Sequence, residues 1–172
     1  GLMISPDYAV TMAGYNAWMN DRLYELCGGL SDTVRKHDAG AFFGSIHGTL
    51  NHLLLGDRIW LGRFLARPFG VTSLAQELYA DFAELRYERS RTDREIGDWA
   101  AALPASALAG DLVYVSVVKP QERRLPLWLA VTHFFNHQTH HRGQLTTLLT
   151  QIGVDPGVTD LLWSPRVQSA SL

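Results

Sequence analysis

Four stripes of apolar residues at helical spacing, cut apart by glycine and proline, most constrain what this chain can fold into. Tyr8, Met12, Tyr15, Met19, Leu23 and Leu26 recur at steps of three and four, and Gly28-Gly29 follows as a stop. This predicts a first helix over residues 6–27. A second stripe (Phe42, Ile46, Thr49, Leu53, Gly56, Trp60, Phe64) predicts a helix over 38–65. The third runs from Leu74 through Leu78, Phe82, Leu85, Thr92, Ile96 and Trp99 to Leu103. Ser73 and Gln76 stand at capping-box spacing, which predicts a start at Ser73 and leaves residues 66–72 as the connection. The stretch DLVYVSVV (111–118) alternates and is β-branched. KPQE turns after it, so a short hairpin with Arg123–Leu125 is expected. Pro126 suits the first turn of a fourth helix reaching about Ile152. The expectation is a single all-α domain over residues 1–172, a four-helix bundle with a short β-hairpin between helices 3 and 4.

Composition narrows the partners. With 47% hydrophobic residues, 19% charged residues and a net charge of -2, the chain reads as globular, with no basic footprint for nucleic acid or anionic lipid. No apolar run approaches the roughly 18 residues needed to span a bilayer. The N-terminus lacks the basic-then-apolar layout of a secretory signal. Cys27 is the single cysteine, so no internal disulfide can form, and a reducing cytoplasm is expected. Cys27 also has no base or cation beside it in sequence, which argues against a nucleophilic role.

The fourth stripe carries the chemistry. HFFNHQTHHRGQL (133–145) holds four of the seven histidines. An α-helix turns about 100° per residue, so with His137 at zero, His141 sits near 40°, inside the stripe of Ala130, Phe134, Leu145, Leu148 and Ile152. His133 and His140 fall on its margin, near -40° and -60°. Two imidazoles one turn apart on an inward face need partners for both ring nitrogens, and if both were charged they would repel. A shared metal ion resolves both problems by taking a lone pair from each neutral ring. On the second helix, His52 lies about 80° from the stripe's centre, on the inner flank, and His47 about 140° away, toward solvent. His52 is therefore the candidate third ligand, and Gly56, one turn on, leaves room for close approach. A lone inward histidine is ordinarily a hydrogen-bonded core residue. The paired spacing, with a third histidine on another helix, favours metal. His37, His47 and His140 read as surface residues, and His133 as a pocket wall or supporting group. Gln144, near -20°, can fix a ring tautomer. Arg142 is expected to point outward and Gly143 to permit close helix packing. Asp57 is expected to pair with Arg58 or Arg63 or to cap a neighbour. Asn16 and Asn20, at i, i+4, are expected to bond a partner helix or the site.

The segments YNAWMNDRLYEL, SIHGTLNHLLLGDRIWLGRF and FNHQTHHRGQLTTLL followed by GVDPGVTDLLW resemble the DinB (damage-inducible) / YfiT-like family of bacterial metal-binding bundles, and the likeness covers nearly the whole chain. The resemblance implies an up-down-down-up four-helix bundle, often a homodimer. It implies a metal held by three histidines at the positions filled here by His52, His137 and His141. It also implies kinship with thiol-dependent S-transferases and isomerases that use low-molecular-weight thiols such as bacillithiol or mycothiol.

Three imidazoles on a divalent metal leave an open position, the pattern of a catalytic rather than a closed structural site. Zinc or nickel is favoured, and iron or manganese also accept such ligands. The leading expectation is a thiol S-transferase acting on a small-molecule electrophile. Against it stand a hydrolase using the same triad, and a metal-stapled dimeric stress-response or binding protein, which would need a sealed site with a fourth ligand such as His133.

Overall fold

Three of the four long helices begin at a side chain that satisfies a free N–H group, and the last begins instead after Pro126. A computed structural model describes residues 3–170. Helix α1 (Pro6–Gly28) starts at Ser5, whose Oγ accepts from the Tyr8 N–H, with Pro6 in the first turn. A short α2 (Asp32–Lys36) follows. Helix α3 (Ile46–Phe64) is capped by Ser45, and α4 (Phe82–Ala102) by Asp81. One-turn α5 (Ala105–Leu108) leads into the hairpin of β1 (Asp111–Val115) and β2 (Glu122–Pro126), antiparallel with Tyr114 opposite Arg123. Helix α6 (Leu127–Gln151) ends in a Schellman motif: the Val154 N–H reaches Leu149 O (2.9 Å), the Gly153 N–H reaches Thr150 O (3.0 Å), and Gly153 has φ +81°. The tail folds back along α1, where Tyr15 bonds Thr159 O, and ends in α7 (Pro165–Ser169).

The bundle is all-helical but for the hairpin, and its direction follows from its contacts. Asn20 meets Asp93 and Glu25 meets Arg86, so α1 and α4 are antiparallel. Asp57 meets Arg89 and Phe64 stacks on Trp99, so α3 and α4 are parallel. His52 meets His141 and Trp60 meets His133, so α3 and α6 are antiparallel. The order is up-down-down-up. A 19-residue helix such as α3 is about 28 Å long, so a parallel α4 requires the chain to return that distance first.

Two expected helix starts are corrected, the first of them by that return. The Ser73–Gln76 pattern does form local bonds: Ser73 Oγ accepts from the Ala75 N–H at 3.1 Å, and Gln76 Oε1 from the Thr72 N–H at 3.0 Å. It builds a turn inside the crossover 65–81, and the helix begins only at Phe82. The Asn51 side chain keeps the next residues out of the helix. Its Oδ1 accepts from the N–H groups of Leu78 (2.8 Å) and Tyr79 (3.0 Å), and its Nδ2 donates to Tyr79 O (3.2 Å). Likewise α3 begins at Ile46 rather than Asp38. Gly40 and Gly44 take positive φ in a tight loop closed by Ala39 N–H to Gly44 O (2.8 Å), and Phe42, read as part of the stripe, is 84% exposed.

The core has two apolar halves. One gathers Leu23, Leu50, Leu54, Leu85, Leu145 and Leu149, the other Ala13, Ile96, Trp99, Phe134 and Phe135. A buried polar layer of Asn16, Asn20, Asp57, Arg89, Asp93, Gln138 and Arg142 crosses the bundle. Asp57 bonds Arg89 (2.5 Å) and Gln138 (3.0 Å), not Arg58 or Arg63 as expected. Arg58 instead pairs with Glu88 (2.5 Å). Asn16 and Asn20 bond Asp93, the partner-helix alternative. Arg142 was expected to point outward and is 3% exposed. Helix α6 is wedged between α3 and α1, so its buried arc is wider than its apolar stripe, and the second buried side carries Gln138 and Arg142.

Candidate metal centre

The three candidate ligands meet where α3 and α6 cross. One ring nitrogen from each of His52, His137 and His141 lies within 4.8 Å of the others, and no further His, Cys, Asp or Glu joins them among the described residues. Helix α6 supplies two successive turns of one face and α3 the opposing ring. Gly56 makes the approach possible, because a Cβ there would stand 2.8 Å from His137 Cε1.

Hydrogen bonds fix the tautomers. His52 Nδ1 lies 3.0 Å from Leu74 O; a carbonyl can only accept, so that nitrogen carries the proton. His141 Nδ1 lies 2.8 Å from Gln144 Oε1 and donates in the same way. Both Nε2 atoms therefore hold bare lone pairs, and these face one another at 3.1 Å. Two acceptors at that distance share no proton. They repel unless a cation sits between them. This is the chemistry of a metal ligand set, with each outer nitrogen tied to an oxygen that orients the ring.

Burial keeps the rings neutral. It pushes His52 down to about 4, with the His141 ring adding to the effect, while the Leu74 carbonyl opposes it. Burial pushes His137 down to about 3, reinforced by His141 and His52. His141 is lowered by burial too, against the Gln144 bond. Neutral imidazole is the form that binds metal.

The cluster opens on one side into a cavity of about 440 Å³, floored by His52 and His137 and walled by Trp60, Arg63 and Tyr114. On the other side Phe43 stacks on His52 at 3.7 Å between centroids. His133 belongs to the cavity wall: its ring packs on Trp60 (5.0 Å) and lies 6.0 Å from that of His137. His37 and His140 are exposed. His47, expected at the surface, is 3% exposed and lies 2.7 Å from Glu77. The crossover covers the first turn of α3, a consequence of its length. Cys27 is fully buried, its thiol pushed up to about 12 by burial, which rules against a thiolate nucleophile there. Phe43, the Leu74 carbonyl and Tyr114 escaped the sequence reading, because each stands on a loop or hairpin whose course no periodicity reports.

An antiparallel-and-parallel helical bundle with three converging neutral histidines defines a class of proteins able to hold a divalent ion. The chain belongs to the DinB family, whose sequence profile matches residues 3–171. It is similar to the Protein DinB of Bacillus subtilis (strain 168), 24% identical over 163 residues that span 90% of this chain and 91% of that protein. Among the described residues no helix is long and apolar enough to cross a membrane.

Proposed function

We propose that His52, His137 and His141 hold a divalent metal ion, zinc or nickel, and that the protein is a thiol-dependent S-transferase acting on a small electrophile in the adjoining cavity. The observation that carries this is the pair of facing Nε2 lone pairs, beside an open cavity rather than a sealed one. A divalent ion held there favours thiolate over thiol near neutral pH, and so supplies a nucleophile.

The chain's own residues do the rest. Leu74 O and Gln144 hold the two donor rings in the ligating tautomer. Phe43 keeps water from the far side of His52. Trp60 and Tyr114 give the cavity an apolar wall, and no carboxylate lines it to act as a base. Hydrolysis is the competing activity, with His133 of the cavity wall the one base besides the ligands that lines the site. A purely structural ion is disfavoured by the opening at His52 and His137 and by the distance of His133.

The test begins with elemental analysis of protein purified without added metal. About one equivalent of zinc or nickel is expected, and none in His137→Ala. Thiol consumption against a generic electrophile such as monobromobimane should be catalysed by the metal-loaded protein and fall to background in His137→Ala. Turnover of activated esters without thiol would instead establish the hydrolase.

A further inference from the structure

The cavity beside the histidines has a strongly one-sided charge. Its lining holds two guanidinium groups, Arg63 from α3 and Arg123 from β2, and no Asp or Glu. This stands against the chain as a whole, which is net negative at -2. Some arginines of the fold spend their charge on carboxylates, as Arg58 does with Glu88, Arg89 with Asp57 and Asp93, and Arg124 with Asp111. Arg63 and Arg123 pair with no carboxylate among the described residues.

Arg63 is also held in place. Its guanidinium carbon stands 4.4 Å from the Trp60 ring centroid and 4.1 Å from that of Tyr114, so the group is gripped by two aromatic side chains. Tyr114 is in turn the cross-strand partner of Arg123, so one rung of the hairpin sets the tyrosine and the second arginine on the same face. A half-buried guanidinium fixed by stacking, with its donors unspent, is suited to planar two-pronged recognition of a carboxylate.

We propose that the molecule bound in this cavity carries a carboxylate, held by Arg63 and Arg123 at the end away from the histidines. Its apolar body lies along Trp60, and its reacting end reaches His52 and His137. Arg63 and Arg123 are thus specificity residues, selecting acids over amides and amines of the same shape. This deepens the reading above and rests on the same cavity, but the carboxylate grip does not depend on which reaction follows.

The test uses three isosteric probes on zinc-loaded protein, followed by calorimetry: 3-phenylpropionate, 3-phenylpropionamide and 3-phenylpropylamine. The acid should bind about tenfold or more tightly than the amide, and the amine more weakly than either. Arg63→Met should abolish the preference while keeping bound zinc and the thermal midpoint. Arg123→Gln, an exposed position that leaves folding intact, should reduce it. Equal binding of acid and amide by the wild type overturns the proposal. So does a preference unchanged in either variant, which would place the carboxylate elsewhere, on the metal ion for instance. If the protein holds no stoichiometric zinc yet prefers the acid through Arg63 and Arg123, the metal reading falls and the carboxylate site stands.

Discussion

Two clusters of buried polar side chains lie in this bundle, and they are built on opposite terms. The central layer places Asp57 and Asp93 against Arg89 and Arg142, two negative charges against two positive, with Asn16, Asn20 and Gln138 filling in. Its charges balance within the chain, although Arg89 Nε, Arg142 Nε and Gln138 Oε1 find no partner. The histidine cluster places three neutral bases together with no acid, and turns two lone pairs toward each other at 3.1 Å. Buried polar groups stabilise when they satisfy one another and cost when they do not. The first cluster balances its own charge; the second sets bare lone pairs against each other with no charged group of the chain between them. A buried polar group, even one with an unpartnered atom, is thus no sign of function in itself, whereas bases converging with no acid among them point to a cation.

The sharpest way to break the comparison is to unbalance the charged layer. Asp57→Ala leaves Arg89 without one of its two carboxylates and Gln138 without its acceptor, in a site where both are buried. It should cost about 3–5 kcal/mol of unfolding free energy, because a buried charge loses a partner. Urea denaturation with and without zinc checks it. The loss should be the same in both conditions, since Asp57 holds no metal. A loss below about 1 kcal/mol would show that the layer does not hold the helices together.

The two clusters were also unequally legible. The stripes of α1 and α6 carry their periods plainly, and on α6 the 100° step alone brings His137 and His141 inward. His52 follows from the same arithmetic on α3. The polar layer was missed because Gln138 and Arg142 lie on the other side of α6. A stripe reports one buried face, whereas a helix wedged between two others has two. His47 was misplaced and the third helix begun too early for one shared reason. The crossover 65–81 is ordered by the Asn51 side chain, 28 residues away from Tyr79 in sequence, and local spacing carries no trace of such a bond. Ser73 and Gln76 use capping chemistry in a turn that no helix follows, so the motif is genuine and its usual consequence absent.

The open cluster can be disturbed without touching a histidine. Gly56→Ala adds a Cβ that would stand 2.8 Å from His137 Cε1, so the ring must move off its present line. Alanine is favoured over glycine inside a helix by about 1 kcal/mol, which offsets part of the crowding. Stability should change by less than about 1 kcal/mol, while zinc affinity falls roughly ten- to a hundredfold, the cost typical of a disturbed ligand orientation. Competition against a chromogenic chelator measures the affinity, and thermal unfolding the stability. The parallel substitution Gly143→Ala meets nothing within 4 Å and should leave affinity unchanged. An unaltered affinity in Gly56→Ala would mean that His137 does not need its present position.

The smallest effect separates the clusters by acid. His52 and His137 are held at about 4 and about 3 in the folded protein, against 6.5 for a free imidazole, chiefly because burial disfavours their charge. Well above pH 6.5 the rings are neutral in both folded and unfolded chains and contribute no pH dependence. As pH falls below 6.5 the unfolded chain takes up protons that the folded one refuses, so stability declines from there toward pH 4. Proteins lacking two of these rings, such as His52→Phe with His137→Phe, should show a shallower decline over that interval. The low folded values make a second expectation in the same window. Zinc binding at pH 6.5 should release well under one proton per ion from the folded protein, because His52 and His137 are already neutral and burial lowers His141 too. Calorimetry in buffers of differing ionisation enthalpy would read this directly. A release approaching one proton per ion would mean that a histidine of the cluster is charged in the metal-free fold, and that the facing lone pairs were sharing that proton instead of awaiting a metal.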